Sequence, residues 1–366
     1  MFKFKISPIL LFIFTSFILG ISIKYKKITG LIYTNIINKL IREKLAFLFD
    51  KLDIPIGDIL SLIIVLALLI VIVNFIKKLF SPSKWLAYIC RLFWGSINIF
   101  CISFFLFILF YGLNYHTQSL RSLIIDKYNS KYATNINLEV DVSKQIETLK
   151  YLENKAIDTK KLVKYKRNTD LSNIKDLSSQ AEEGFRIIAD VFPSLSGKYS
   201  KAKLSIYSPV FDALGIDARY YIFTNEVSIN KGLPDIYKPF LVSKYMAHQR
   251  GIAREDEAFF FAYLAGINNT DPNIKYSAYI SALSMMTQSM MFDNKVEYNY
   301  YVSNMDRNIR VDMEKVSEYR ARTTYGKSII NQVKYTFKRL NGDLRQDSLE
   351  KEVSSLITSY YSLFAY

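Results

Sequence analysis

Long uncharged apolar runs dominate the first third of the chain. Ile6–Ile23 and Ile59–Ile76 each contain 18 uncharged residues, and Leu92–Leu113 contains 22. At about 1.5 Å per residue, helices of this length cross a hydrocarbon core of about 30 Å. Basic residues flank all three runs, and tryptophan and tyrosine lie near the ends of the third. This pattern predicts three membrane-spanning helices rather than buried core helices.

The segment at 24–58, between the first two runs, has helical spacing of a different kind. Apolar residues recur at intervals of three and four, at Ile37, Leu40, Ile41, Leu45 and Leu48, and basic residues lie between them. Such a helix is typical of a membrane surface. We therefore predict a membrane anchor over 1–116 that contains an amphipathic segment at 24–58.

Residues 117–366 predict a mostly helical, α+β domain. Asp141–Leu162 and Leu177–Val191 have the periodicity of amphipathic helices. Leu204–Tyr207 and Tyr220–Thr224 are short, aromatic and β-branched, which predicts a small sheet of two to four strands. From Pro239 onward the pattern is helical again to the end of the chain.

Composition and charge agree with this division. The chain has 366 residues, 50% of them apolar, which excludes a disordered or disulfide-stapled protein. Of its net charge of +15, the first 113 residues contribute +9, from 13 basic and 4 acidic residues. The remaining basic residues do not cluster on one face, so a nucleic-acid partner is not expected.

Membrane orientation depends on how the basic residues are weighed. The short 77–91 loop carries four basic residues and no acidic one, which favours a cytoplasmic position for it. A raw count points the other way, because ten basic residues lie on the domain side and six on the other. We interpret the shorter, purely basic loop as decisive and predict an extracytoplasmic C-terminal domain.

One stretch carries candidate chemistry. A predicted helix ends in His248-Gln249-Arg250-Gly251, and a second helix opens with Glu255-Asp256-Glu257. A tight turn between them would bring a carboxylate close to the imidazole. In zincin peptidases, two His one helical turn apart bind zinc, a Glu after the first His is the general base, and a Glu from a following helix completes the ligand set.

These residues resemble a known family. His248–Gly251, Glu255–Ala258 and Ala262–Ala265 are similar to the motif of bacterial three-span membrane proteins with a zincin-like domain, catalogued as domain of unknown function 3810. Matching positions elsewhere include Pro55, Gly57 and Asp58, Gly112–Tyr115, Glu226 with Asn230, Tyr335 with Lys338, Asn341-Gly342, and Leu356 with Tyr360. The resemblance implies a multi-pass protein of the bacterial cytoplasmic membrane. It also implies that His248 occupies a metal position and Glu255 a third-ligand position, with Glu257 the less favoured choice.

The sequence departs from that motif at the residues that would carry out the chemistry. Lys244 stands where the family has its first zinc-binding His, Tyr245 where it has the general-base Glu, and Phe259 where it has an Asn. Two remaining ligands hold zinc weakly, so no cofactor is expected and any zinc binding is weak. The second histidine, His116, lies just past the third run, and would reach His248 only if the domain folded back onto its anchor.

We therefore predict a zincin-like domain that has lost peptidase activity and serves as a binding or regulatory module. In this hypothesis the Lys244 ammonium occupies the metal position and pairs with Glu255. The partners expected are the lipid bilayer and an extended peptide or another membrane protein. A peptide would add to an edge strand within Tyr220–Asn230, with Phe223, Glu226 and Asn230 as candidate contacts. The alternatives are an active membrane zinc peptidase with an altered ligand set and, with no ionisable residue inside the three runs to support it, a transporter.

Overall fold

The computed structural model describes residues 7–79, 85–136, 141–163, 174–321, 324–343, 345 and 347–364. Helices predominate, as the sequence predicts. The N-terminal region contains α1 (Ser7–Lys24), α2 (Lys26–Ile28), a π-helix (Thr29–Asn38), α3 (Lys39–Phe49), α4 (Ile56–Leu79), α5 (Trp85–Phe110) and a 3-10 helix (Gly112–His116). The C-terminal region contains α6 (Leu120–Tyr132), α7 (Val142–Lys160), α8 (Ile174–Ile188), a 3-10 turn (Pro193–Leu195), β1 (Lys203–Leu204), α9 (Ser208–Leu214), β2 (Ala218–Tyr221), β3 (Glu226–Ile229), α10 (Lys238–Gln249), α11 (Glu255–Ile267), α12 (Pro272–Asp293), α13 (Lys295–Asn304), α14 (Arg307–Ala321), α15 (Thr324–Leu340) and α16 (Leu349–Phe364).

Within the described ranges, two helices are long and apolar enough to cross a membrane. They are Ile56–Lys78 of α4 and Trp85–Phe110, the whole of α5. The first apolar run forms α1, which qualifies only together with Lys26–Phe49, from which it is bent by 105°. The sequence therefore located the apolar helices, and the structure supports two spans, or three if the bent pair crosses as one.

The segment between α1 and α4 is amphipathic, but its polar face points into the protein. Asn38 and Arg42 are buried, whereas Leu40, Phe47 and Leu48 are more than half exposed. The Arg42 guanidinium donates hydrogen bonds to the Thr34 carbonyl in this segment and to the Gln249 carbonyl at the end of α10. The polar side of the segment therefore binds the domain, and its apolar side is exposed.

The sheet has three strands in the order β1-β3-β2. β1 runs parallel to β3, and β2 runs antiparallel to it with Ala218 opposite Ile229 and Tyr221 opposite Glu226. All four residues of β3 are buried. The prediction of a small sheet is confirmed. The predicted peptide edge, however, included Glu226–Ile229, and these residues form the central strand.

The core of the C-terminal region lies around α10, α11 and α12, with α7, α8 and α16 packed outside them. Small residues allow close helix approach: a Cβ added to Gly184 of α8 would lie 2.1 Å from the Ala265 carbonyl oxygen. A Cβ added to Gly266 would lie 2.5 Å from the Ala278 Cβ. α11 is therefore enclosed along almost its whole length, and this fixes the position of its first turn.

A buried polar cluster joins the first turn of α4 to the sheet. The Glu226 carboxylate accepts hydrogen bonds from the Ile56 and Gly57 backbone N–H groups at 3.2 and 2.9 Å, and pairs with Lys203 at 2.6 Å. Asp58 accepts from Ser205 Oγ and the Ile206 N–H, each at 2.9 Å, and from the Tyr221 hydroxyl at 2.5 Å. Glu226 thus satisfies N–H groups that a helix leaves free at its N-terminus. We call the cluster of Asp58, Lys203 and Glu226 the α4 joint.

Candidate functional site

The turn between α10 and α11 builds the candidate site. Gly251 has a φ of +87°, a conformation that residues with a Cβ rarely adopt. A Cβ at this position would also lie 2.8 Å from the Arg42 guanidinium carbon. The glycine therefore permits both the reversal of the chain and the close approach of Arg42. The reversal places Glu255, the first residue of α11, beside the last turns of α10.

Three side chains meet at this turn. The Lys244 Nζ lies 2.5 Å from one oxygen of the Glu255 carboxylate, and His248 Nε2 lies 3.5 Å from the other. Lys244 and His248 are four residues apart on α10 and therefore share one face. The expected pairing of Lys244 with Glu255 is present. We call Lys244, His248 and Glu255 the site triad.

The triad is buried unevenly. The side chains of Lys244 and His248 are 12% and 6% exposed, whereas that of Glu255 is 43% exposed. Burial raises the pKa of Glu255, but Lys244 and His248 outweigh it and hold this pKa well below the usual range. Burial lowers the pKa of Lys244, and the Glu255 carboxylate more than restores it. Lys244 and Glu255 therefore form a charged pair at neutral pH.

The hydrogen bonds of His248 show which of its ring nitrogens carries a hydrogen. Its Nδ1 lies 2.7 Å from the Ile252 carbonyl, which can only accept, so Nδ1 carries a hydrogen. The Tyr111 hydroxyl, 3.3 Å from Nδ1, donates to the same carbonyl at 3.2 Å. On the other side of the ring, Nε2 is buried and makes no hydrogen bond to the residues that the structure describes. The imidazole is therefore oriented by the backbone, with its free nitrogen directed toward Glu255.

Two contacts of the site come from residues that the sequence did not assign to it. Tyr111 follows the last residue of α5 and reaches His248, and Arg42 binds the end of α10. The domain therefore folds back onto the anchor, and the anchor residue that contacts His248 is Tyr111. Tyr111 directly precedes Gly112–Tyr115, one of the family-like stretches, but local spacing gives no sign of a partner 137 residues away.

Tyr245 directly follows Lys244 on α10. Burial, and secondarily the Glu255 charge, raise its pKa well above the ordinary tyrosine value. Its ring packs against the His248 ring, with centroids 5.6 Å apart. The phenol is therefore protonated at neutral pH and cannot act as a base. Phe259, the other departure from the family motif, packs against Phe240 in the core.

Glu257 has structural partners. Its carboxylate accepts a hydrogen bond from the Leu120 backbone N–H at 2.8 Å and pairs with Arg254 at 2.7 Å. Arg254 donates in turn to the Tyr115 and Thr117 carbonyls. Glu257 therefore fastens α11 to the chain that leaves α5. Of the two candidate carboxylates, Glu255 faces His248.

The three residues predicted to contact a peptide do not lie together on one strand edge. Glu226 lies in the α4 joint, and Asn230 donates to Asp212 at 2.7 Å, so neither lies at a strand edge. Phe223 is 48% exposed and packs edge-on against Phe110 of α5. The edge strand on this side is β2. Its Tyr220 ring stacks near the His248 ring, with centroids 6.5 Å apart.

The site triad does not fit a zinc ion. Structural and catalytic zinc sites take three or four protein donors, and here His248 Nε2 and Glu255 are the donors that face each other. The Lys244 ammonium lies against the same carboxylate and has no lone pair to offer. Within the described ranges, no group of three or more His, Cys, Asp or Glu side chains is arranged to hold a metal ion.

Comparison with known proteins yields one match. A family model described as "Protein of unknown function (DUF3810)" matches residues 33–343. No curated protein and no solved structure is significantly similar to the chain.

Proposed function

This chain belongs to the DUF3810 family of proteins of unknown function, and we propose that it is a membrane-anchored, zincin-like domain without peptidase activity that serves as a binding or regulatory module. The observation that carries this proposal is the ion pair of Lys244 with Glu255, 2.5 Å apart. An ammonium in this place bridges α10 and α11 as a metal would bridge them in a zincin. Tyr245, with its raised pKa, leaves the position without a general base.

The proposal predicts that zinc binding can be created by substitution. In the full-length protein in detergent, Lys244→His with Tyr245→Glu would introduce the missing ligand and base beside His248 and Glu255. We expect this double variant to bind zinc stoichiometrically and to unfold at a higher temperature with zinc than without it. The matched control is Lys244→Met with Tyr245→Glu, which adds no ligand.

Metal analysis of the unsubstituted protein gives the opposite test. Stoichiometric zinc that a chelator removes with loss of stability would contradict the proposal. It would instead favour the second candidate, an active zinc peptidase with an altered ligand set. The unpartnered His248 Nε2, aimed at Glu255, is the observation that favours that candidate. Chelator-sensitive peptide cleavage that is abolished by His248→Ala would establish it.

For the ligand we propose an extended peptide, or an extended segment of another membrane protein, that adds to β2. A peptide paired with β2 would pass Tyr220 and lie close to the site triad. The Glu255 carboxylate is partly exposed there and offers a charged contact. We expect members of a peptide library to bind the full-length protein and to bind Glu255→Gln more weakly. A diverse library without a binder would contradict this assignment.

For the anchor we propose three crossings of the bacterial cytoplasmic membrane with the C-terminal domain outside. The two apolar helices and the bent pair that starts with α1 support three crossings, and the short basic loop at 77–91 supports the orientation. A reporter enzyme fused after Tyr366 tests it. Reporter activity confined to the cytoplasm would contradict the proposed orientation.

A further inference from the structure

α15 carries an apolar stripe that the domain leaves uncovered. Ile329, Val333 and Leu340 are 60%, 60% and 80% exposed, and Phe337 continues the same helical face at 39%. These positions follow the i, i+4, i+8, i+11 spacing of one side of a helix. A stripe of this kind on a domain surface marks a binding face.

The C-terminal part of α15 lies beside the end of a membrane-spanning helix. Near its C-terminus, Phe337 packs edge-on against Phe107 in the last turn of α5, with ring centroids 5.6 Å apart. α15 also packs against α9. Tyr207, directly before α9, donates its hydroxyl hydrogen to the Asp58 carbonyl in the first turn of α4. α15 therefore contacts α5 directly and α4 through the segment that contains α9.

The charges of α15 suit a lipid surface. Thr324–Leu340 contains four basic residues and no acidic one. Lys338 turns toward the domain, where it binds Glu352 at 2.9 Å, and Arg339 and Lys334 lie on exposed positions. A helix with an apolar stripe and basic residues beside it is typical of the membrane interface.

We propose that α15 is an interfacial helix, with Ile329, Val333, Phe337 and Leu340 inserted into the acyl-chain boundary of the bilayer that α4 and α5 cross. The bilayer is favoured over a second copy of the chain because Phe337 of the stripe contacts Phe107 of α5, a helix long and apolar enough to cross a membrane. The stripe and the exposed apolar face of α3 then lie on the membrane together.

This placement bears on the site triad. Burial raises the pKa of Glu255, and the charges that lower it include Lys334 of α15 as well as Lys244 and His248. α15 therefore lies within electrostatic reach of the site. A ligand that reaches Glu255 would approach along the face of the domain that meets the membrane.

The test uses the full-length protein in liposomes, with Cys90 and Cys101 replaced by serine. A nitroxide is attached to a single cysteine at Val333 or Leu340 on the stripe, or at Asn331 on the opposite face as the matched control. Electron paramagnetic resonance then measures collision with oxygen, which partitions into lipid, and with a water-soluble nickel complex. We expect the oxygen-to-nickel ratio to be several-fold higher at Val333 and Leu340 than at Asn331.

Two results would overturn the proposal. Equal ratios at Val333, Leu340 and Asn331 would place the stripe in water. Labels at Val333 and Leu340 that are shielded from both reagents would show that protein covers the stripe, as in a dimer. Because the labelled residues are exposed, the three variants should unfold at the temperature of the cysteine-free parent, and this measurement is made first.

Discussion

Two of the lysine–glutamate pairs in the protein, Lys203–Glu226 and Lys244–Glu255, lie in contrasting surroundings. In the α4 joint, the Lys203 and Glu226 side chains are 1% and 0% exposed. Both Glu226 oxygens accept hydrogen bonds, and Lys203 also donates to the Phe49 carbonyl at 2.7 Å. In the site triad, the Glu255 side chain is 43% exposed. The neighbouring His248 Nε2 makes no hydrogen bond to the described residues.

The difference separates a structural pair from a candidate binding pair. A buried pair is tolerated when further hydrogen bonds satisfy its groups, and removal of one partner leaves an uncompensated buried charge. The joint pair meets this condition and fixes α4 to the sheet. The site pair is incomplete and reachable from solvent, so a ligand can alter it without unfolding the domain.

The largest effect is expected from Glu226→Gln. This change leaves the Lys203 ammonium buried without its counter-charge and should destabilise the protein by about 3–5 kcal/mol. Reversible unfolding of the full-length protein in mild detergent measures it. Lys203→Met with Glu226→Gln should recover much of the loss. If Glu226→Gln lowers the free energy of unfolding no more than substitutions in the site triad do, the contrast between the two pairs is wrong.

A smaller effect is expected from Asp58→Asn, in the same joint. The carboxylate accepts from the Ser205 hydroxyl, the Ile206 N–H and the Tyr221 hydroxyl, and hydrogen bonds to a charged group each contribute about 1.5–3 kcal/mol. We expect a loss in that range, because the amide keeps part of the network. The pKa of Tyr221, raised to about 12 by burial and by Asp58, should fall in the variant, as measured by ultraviolet titration of the phenol.

The site pair should contribute much less. Lys244→Met is expected to lower the free energy of unfolding by about 1 kcal/mol, because solvent stabilises the partly exposed Glu255 carboxylate. The same unfolding assay measures it, with Lys203→Met as the matched variant of the joint. A larger loss for Lys244→Met than for Lys203→Met would identify the site triad as a structural element.

The smallest effect is a pH dependence. The pKa of Glu255 is lower in the folded protein than in the unfolded chain, where it is about 4.3. Its stabilising contribution is therefore present above about pH 4.3 and is lost as the pH falls toward the folded-state pKa. Glu255→Gln should lose less stability on acidification than the parent. Identical acid unfolding of the two proteins would contradict this prediction.

Local patterns predicted much of the architecture. Runs of apolar residues identified the helices that are apolar enough to cross a membrane, and short aromatic and β-branched segments indicated a small sheet. The motif around His248 placed an imidazole at the end of one helix and Glu255 at the start of the next. Each of these inferences uses one short stretch of the chain, the longest being the 22 residues of Leu92–Leu113, and local patterns of this length indicate single elements.

Other features depend on contacts across long stretches of chain. Tyr111 reaches His248, Glu226 caps α4 at Ile56 and Gly57, and Arg42 reaches Gln249. The central position of β3 in the sheet also depends on distant contacts, because the residue pattern of one strand does not specify which strands lie beside it. The polar face of the α3 segment was visible in the sequence, but the surface it would bind was not.

The sequence by itself determined which helices are apolar enough for a membrane and which ionisable groups would stand at the α10–α11 turn. It did so because hydrophobic periodicity and neighbouring residues act over short distances. Tertiary structure alone decided that the anchor and the domain form one packed unit, that Glu226 is a structural cap, and that His248 retains an unpartnered nitrogen beside Glu255. Those outcomes depend on which buried polar groups find partners, and the partners lie more than 100 residues apart in the chain.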